Sequence, residues 1–269
     1  MVSFYMSTRV AVVTGSNKGI GLATVRALCK EFEGDVYLTA RNRGKVVRTE
    51  GLKLPEGNIA DIEDSYKYLG IPQANGNYEE ATRKAATTKY LQRVSLKDSK
   101  STKETNVLFV FHLQILVCVR LCVLGRVVNV SSMNCVSGLK KCSPDLQQRF
   151  RNENITEEEL VELMQRFVDE AKKGEHKERG WTDGAYTVSK IGLTVLSVIH
   201  ARRLTKERPN DGILLNACCP GWVRTDMAGP TAPKSPDEGA VTPVYLALLP
   251  SGAKEPHGKY LSDKEVQPW

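Results

Sequence analysis

The chain has 269 residues, of which 41% are hydrophobic and 26% charged, enough to bury a core as one domain and ordinary for a globular protein. Its formal charge of +7 hints at an anionic ligand, but the basic residues are spread along the chain with no nucleic-acid-binding fingerprint, which favours a solvated surface and excludes nucleic acid as the expected partner. Seven cysteines and four histidines without a Cys-x-x-Cys pattern give no metal site, and adjacent Cys218 and Cys219 do not both fit a simple disulfide framework.

Free thiols imply a reducing compartment. Met1 to Arg9 lacks the basic region, apolar run and cleavage site of a secretory signal, so a cytoplasmic chain is expected.

Arg9 to Thr14 is a short β-branched run, as in a strand buried on both faces. It leads into Gly15-Ser-Asn-Lys-Gly-Ile-Gly21, after which Leu22, Val25, Leu28 and Phe32 mark a helix. Strand, glycine turn and helix in that order give a glycine fingerprint its meaning. Gly15 permits the turn, Gly19 lets backbone approach a pyrophosphate, and Gly21 allows helix and strand to pack closely. The helix N-terminus supplies N–H groups for the phosphates. A purely structural glycine turn is the competing reading. The next strand, Gly34 to Ala40, ends at Arg41, where an acid would bind a ribose 2′-hydroxyl and an arginine accommodates a 2′-phosphate. Arg41, with Arg43 or Lys18, therefore argues for NADP over NAD, against the alternative of a surface arginine.

From Arg43 to Gly125 the pattern changes. A doubly wound sheet needs two further βα units here, yet the run is polar and turn-rich. Asn58 to Glu63, with Asp61, is a weak match to a third strand. Val107 to Leu124 is apolar, interrupted by His112, Gln114 and Arg120. It reads as a buried helix or a core strand, with a short membrane span as the less favoured alternative.

Gly125 to Val130 is again a buried strand, ending in Ser131-Ser132, where open α/β sheets bind ligands. A helical insertion follows over 137–181. Within it Thr156 and Glu159 form a capping box, and Leu160, Leu163, Met164 and Phe167 give one apolar face. The insertion covers either the mouth of the site or an outer face, or is a surface decoration. Gly184-Ala-Tyr-Thr-Val-Ser-Lys-Ile-Gly192 sets Tyr186 and Lys190 one helical turn apart. A phenol has an ordinary pKa of about 10, and a neighbouring ammonium is expected to draw it down toward a working range. A second such pair, Tyr260 and Lys264, lacks a helical pattern and reads as chance. Gly212 to Ala217 is a further strand, and Pro220-Gly221 then bends the chain so that Val223 and Thr225 are available to a nicotinamide carboxamide. Ser235 to Leu249 reads as a final helix, with a short strand near Lys259 to Leu261.

Thr14-Gly-Ser-Asn-Lys-Gly-Ile-Gly21, Asn129-Val-Ser-Ser132, Tyr186-Thr-Val-Ser-Lys190 and Asn216-Ala-Cys-Cys-Pro-Gly-Trp-Val-Arg-Thr-Asp226 resemble the short-chain dehydrogenase/reductase family, particularly its monomeric NADPH-dependent carbonyl reductases. The likeness covers residues 9–42 and 125–269. It implies a doubly wound, mostly parallel α/β sheet of Rossmann type, in one reductase domain over 1–269, with 43–106 as an atypical segment. It further implies Tyr186 as general acid, Lys190 holding the ribose and lowering the tyrosine pKa, and Ser132 positioning the carbonyl. The implied cofactor set is Gly15, Asn17, Lys18, Gly19, Ile20, Gly21, Arg41, Tyr186, Lys190, Pro220, Gly221, Val223 and Thr225. Trp222 and Met133 would line a substrate pocket near Cys218 or Cys219, a neighbourhood that in this family relates to glutathione-conjugated substrates. The helical insertion implies a monomer.

The family's Asn-Asn-Ala-Gly motif is absent, and Asn106 is the candidate for the asparagine of its tetrad. Gly44 to Val94, with Asp64-Ser-Tyr-Lys-Tyr-Leu-Gly-Ile71, resembles instead a fragment of a retrotransposon reverse transcriptase. Two functions follow. One is an NADPH-dependent reductase of a small-molecule ketone, aldehyde or quinone. The other is an impaired chimeric relic whose sheet is opened beside its first strand by the loss of a central strand.

Overall fold

The computed structural model describes residues 9–38, 114–119 and 123–269. By compactness the chain divides into Met1–Val46 with Phe111–Trp269, and Val47–Val110. The second unit lies outside the described residues, as do Arg41, Arg43, Asp61 and Asn106.

The strands are β1 (Arg9–Val13), β2 (Asp35–Leu38), β3 (Gln114–Val119), β4 (Val123–Val130), β5 (Leu214–Cys219), β6 (Tyr260–Ser262) and β7 (Glu265–Val266); β1, β2, β4, β5 and β6 fall on the runs expected of them, and β7 was not foreseen. They build one sheet in the order β2-β1-β3-β4-β5-β6-β7. β1 pairs in parallel with β2, and β4 with β5 and β5 with β6 likewise. The resemblance to a doubly wound sheet therefore holds, with the short β7 antiparallel to β6 at the edge and one departure in the middle.

That departure is β3. It lies between β1 and β4 and is antiparallel to both, Val12 facing Leu116 and Leu116 facing Val127. The opening expected beside the first strand does not occur, because β3 supplies the backbone donors and acceptors that β1 and β4 need on that side. Within the apolar run 107–124, the alternative of a core strand is the one realised over Gln114–Val119. Two antiparallel neighbours leave β1 and β4 running the same way, so their carboxyl ends meet at one edge together with that of β5.

On one face of the sheet α1 (Gly19–Glu31) packs against the last helix. Ala11, Val13, Ala23, Leu28, Val128 and Val244 belong to the shared core there. On the other face lies α5 (Ala185–Glu207), against β4 and β5. Between them in sequence come α2 (Asn134–Leu139), α3 (Pro144–Phe150) and α4 (Glu157–Lys172). The last helix is α6 (Pro236–Ala247). No helix among the described residues is long and apolar enough to cross a membrane.

Within residues 137–181, α4 lies on α5. Thr156 and Glu159 form the capping box reciprocally, at 3.1 and 2.8 Å, satisfying two N–H groups the helix start leaves unpaired. Leu160, Leu163, Met164 and Phe167 are buried. Arg202 of α5 donates to the carbonyls of Glu153 and Ile155 just before α4, and Arg203 meets Glu157 at 3.4 Å. α5 is therefore apolar around much of its circumference, the mark of a helix covered on both sides.

Arg126 holds the edge of the sheet away from those carboxyl ends. It is 2% exposed and donates to the carbonyls of Gly212 at 2.9 Å, Gly125 at 3.0 Å, Leu124 at 3.1 Å, Leu249 at 3.2 Å and Pro250 at 2.5 Å. Burial, with a smaller repulsion from Arg9, pulls its pKa below the usual guanidinium range. The fan joins β4, the turn before β5 and the end of α6.

Candidate active site

Three strand ends converge at the carboxyl edge. β1 runs into Gly15, whose φ of +62° is the left-handed conformation that favours glycine. Ser16 closes the turn by donating to the carbonyl of Val13 at 2.6 Å. A Cβ on Gly21 would stand 2.5 Å from the carbonyl oxygen of Gly15 and 2.7 Å from the Ser16 Cα. The sequence reading of Gly21 as the close-packing glycine is therefore met in the geometry. α1 begins with Lys18 as N-cap, without a side-chain cap or an acid in its first turn, so its N-terminal N–H groups face outward for an anion. Beside Gly15 a Cβ would meet nothing within 4 Å. This bare backbone cradle fits the pyrophosphate of a dinucleotide.

β4 ends in two serines with different fates. Ser131 is buried and bonds the Thr194 hydroxyl at 2.7 Å and the Lys190 carbonyl at 3.2 Å, which anchors α5 to the sheet. Ser132 is only partly buried and accepts from the Asn134 N–H at 3.2 Å. Its hydroxyl also hydrogen-bonds the Tyr186 phenol. Lys190, 4% exposed, donates from Nζ to the Val130 carbonyl at 2.8 Å. The same ammonium stands 5.7 Å from the centroid of the Tyr186 ring. Ser132, Tyr186 and Lys190, drawn from two separated stretches, are thus brought together.

Their electrostatics correct one expectation. The Tyr186 phenol is pushed up, not drawn down: burial is the largest cause, and the hydrogen bond from Ser132 opposes it without reversing it. The physical reason is the enclosure of the phenol, and the Lys190 ammonium, which donates to the Val130 carbonyl, is not among the groups that oppose it. Burial also pulls Lys190 itself from its ordinary 10.5 to about 8. Tyr260 and Lys264 lie on β6 and in the turn after it, not on a helix, so the expectation that this pair is chance agrees with their placement.

β5 ends at Cys218 and Cys219, both buried. Among the described residues Cys29, Cys135, Cys142, Cys218 and Cys219 are all free thiols. Burial pushes the Cys218 thiol well above its ordinary value. Cys219 Sγ accepts from the N–H groups of Met133 at 3.1 Å and Gly221 at 3.3 Å, tying the turn after β4 to the turn after β5. Beneath them sits the buried hydroxyl of Tyr260, beside the Cys135 and Cys219 thiols. Sequence reasoning assigned no role to this cluster, since nothing in the spacing of Cys135, Cys219 and Tyr260 announces it.

Gly221, at φ +86°, makes the bend. Trp222 and Met133 are both more than half exposed, at 55% and 56%. Val223 is buried and bridged to Lys234. Its side chain meets the position a Cβ on Gly239 would occupy, as does Ile20. Thr225 Cγ2 lies 3.2 Å from where a Cβ on Gly19 would stand, and Lys18 forms an ion pair with Asp226. The stretch Val223 to Asp226 therefore lies directly over the glycine turn. Asn17 lies in that turn and Pro220 in the bend.

No family model matches the chain. Carbonyl reductase (NADPH) 1 of Homo sapiens is 51% identical over 281 residues, covering 97% of this chain and 98% of that protein. The chain belongs to the short-chain dehydrogenase/reductase family. Its likeness to that family's carbonyl reductases extends along nearly the whole chain, not only over 9–42 and 125–269. Carbonyl reductase (NADPH) 1 of Bos taurus is 50% identical, with 98% and 99% of the two chains covered. Salutaridine reductase from Papaver somniferum superposes with a TM-score of 0.61 at 22% identity, over 95% of this chain and 99% of that one. Menthone neomenthol reductase from Mentha piperita gives 0.54, also at 22% identity, over 95% and 98%. These two show the fold.

Proposed function

We propose that the chain reduces the carbonyl of a small ketone, aldehyde or quinone with NADPH, using Ser132, Tyr186 and Lys190. The observation that carries the assignment of residues is the meeting of those three side chains at the carboxyl edge, beside a glycine turn that fits a dinucleotide. NADPH supplies the hydride. Gly15, Asn17, Lys18, Gly19, Ile20 and Gly21 would cradle its phosphates, and Arg41, outside the described residues, is assigned to its 2′-phosphate. Pro220 and Gly221 turn the chain so that Val223 and Thr225 hold the carboxamide. Ser132 donates its hydroxyl hydrogen to the substrate oxygen and aligns it. Tyr186, kept protonated by burial, gives that oxygen its proton. Lys190 holds the ribose hydroxyls, and turning its ammonium from the Val130 carbonyl toward them would bring the phenol down to a value that can be recharged. Trp222 and Met133 offer apolar surface for the substrate.

Several finer readings belong with this proposal. Glutathione conjugates bearing a carbonyl are a candidate substrate class near Cys219. A cytoplasmic monomer is supported by the free thiols and by α4, which covers a face of α5 that a second copy would otherwise be able to use. Residues 137–181 are an insertion in one reductase domain. The likeness of residues 44–94, with Asp64 to Ile71, to a reverse-transcriptase fragment belongs here too, and sequencing the transcript across 43–125 tests whether that segment is present.

The decisive experiment follows NADPH oxidation by menadione in the purified chain and in Tyr186→Phe. Turnover is expected to fall about 10²- to 10⁴-fold with NADPH binding retained. Equal turnover in the two chains would overturn the assignment of the acid.

A further inference from the structure

The stretch Val223 to Asp226 is pinned to the glycine turn at three points. Thr225 packs its methyl over Gly19, and Val223 shares the space beside Gly239 with Ile20. Asp226 then places a carboxylate on the ammonium of Lys18, the residue that caps α1. The first two contacts are apolar and indifferent to charge. The third is not. It sets an anion of the protein's own on a cation of the turn that receives the cofactor's phosphates, at the positive end of α1.

We propose that Asp226 is a determinant of cofactor affinity, a built-in carboxylate that competes with the phosphates of NADPH for Lys18. The inference rests on the NADPH reading above. Before the cofactor binds, Asp226 neutralises Lys18 and holds the stretch down over the turn. Binding exchanges the carboxylate for phosphate oxygens on the same ammonium, and the two phosphates of the pyrophosphate win through their greater combined charge. The exchange has a definite size. Lys18 and Asp226 are 63% and 78% exposed, and pairs so exposed are worth about 0.2–1 kcal/mol, which corresponds to about a 1.4- to 5-fold change in a dissociation constant.

Calorimetric titration of NADPH at low ionic strength into four chains tests the proposal: the unaltered protein, Asp226→Asn, Lys18→Met and the double variant. Both side chains are on the surface, so the substitutions leave the fold intact. Asp226→Asn is expected to bind NADPH about 1.4- to 5-fold more tightly. In the Lys18→Met background the same change is expected to leave the constant nearly unmoved, because there is no ammonium left to contest. Unchanged or weaker binding in Asp226→Asn overturns the competition while the NADPH reading stands. An equal gain with and without Lys18 overturns it too, since Asp226 would then act by general repulsion alone. Binding of NADPH to none of the four chains overturns both the reductase reading and the competition.

Discussion

At Lys190 two demands meet in one side chain. The proposed mechanism asks for a cation beneath the cofactor's ribose, yet the ammonium is enclosed by β4 and α5 and held to the Val130 carbonyl at 2.8 Å. Enclosure wins by enough to bring its pKa to about 8. Two pH effects follow. NADPH binding is expected to weaken as pH rises through about 8, because the ammonium loses its charge, and fluorescence titration of Lys190→Met should show no such step. Stability moves the opposite way. Below about 8 the folded and unfolded chains both carry the proton, so the penalty is constant; between about 8 and 10.5 only the unfolded chain binds it. Stability from this group therefore rises with pH across that window. Urea unfolding of the ligand-free protein at its two ends measures the rise, with Lys190→Met as the reference that lacks it. The Tyr186 phenol shows why such values are not legible in spacing. The sequence places a lysine one turn away, but only the tertiary structure says where the ammonium points.

Among the elements, α2 and α5 approach so closely that glycine is required between them. A Cβ on Gly138 would stand 1.9 Å from Thr187 Cγ2, and Thr187 directly follows Tyr186. Gly138→Ala is therefore expected to push α5 beside Tyr186, the proposed acid, and to cost about 1–3 kcal/mol of stability. Its turnover should fall more than its NADPH affinity, because the glycine turn lies on the other face of the sheet edge. Equal loss of both, measured by steady-state kinetics and calorimetry, would mean that the whole edge had shifted. The capping box of α4 and the buried face from Leu160 to Phe167 were legible beforehand, since local chemistry writes a helix start and its stripe. The partner of that stripe was not. Only the packing of α4 on α5 supplies it.

For the molecule as a whole, the sheet is held from both edges. Arg126 gathers five carbonyls at the edge away from the site, and Arg126→Met would leave all five without their donor. A loss on the order of 3 kcal/mol is expected, read as an earlier denaturant midpoint with the spectrum of the native state otherwise kept; a neutral outcome would show that water replaces the guanidinium. β3 closes the sheet between β1 and β4 in a direction no periodicity announced, because an apolar run specifies burial and leaves strand polarity to its neighbours. The sequence by itself determined the strands that end in Gly15, Ser132 and Cys219, the glycine turn, the tyrosine–lysine helix and hence the chemistry, since each is written in residues a few positions apart. The tertiary structure alone decided that β3 runs antiparallel, that Lys190 is turned to a carbonyl, and that Asp226 reaches Lys18. Those are contacts between distant segments, and their energies depend on burial and direction, which neighbouring letters do not encode.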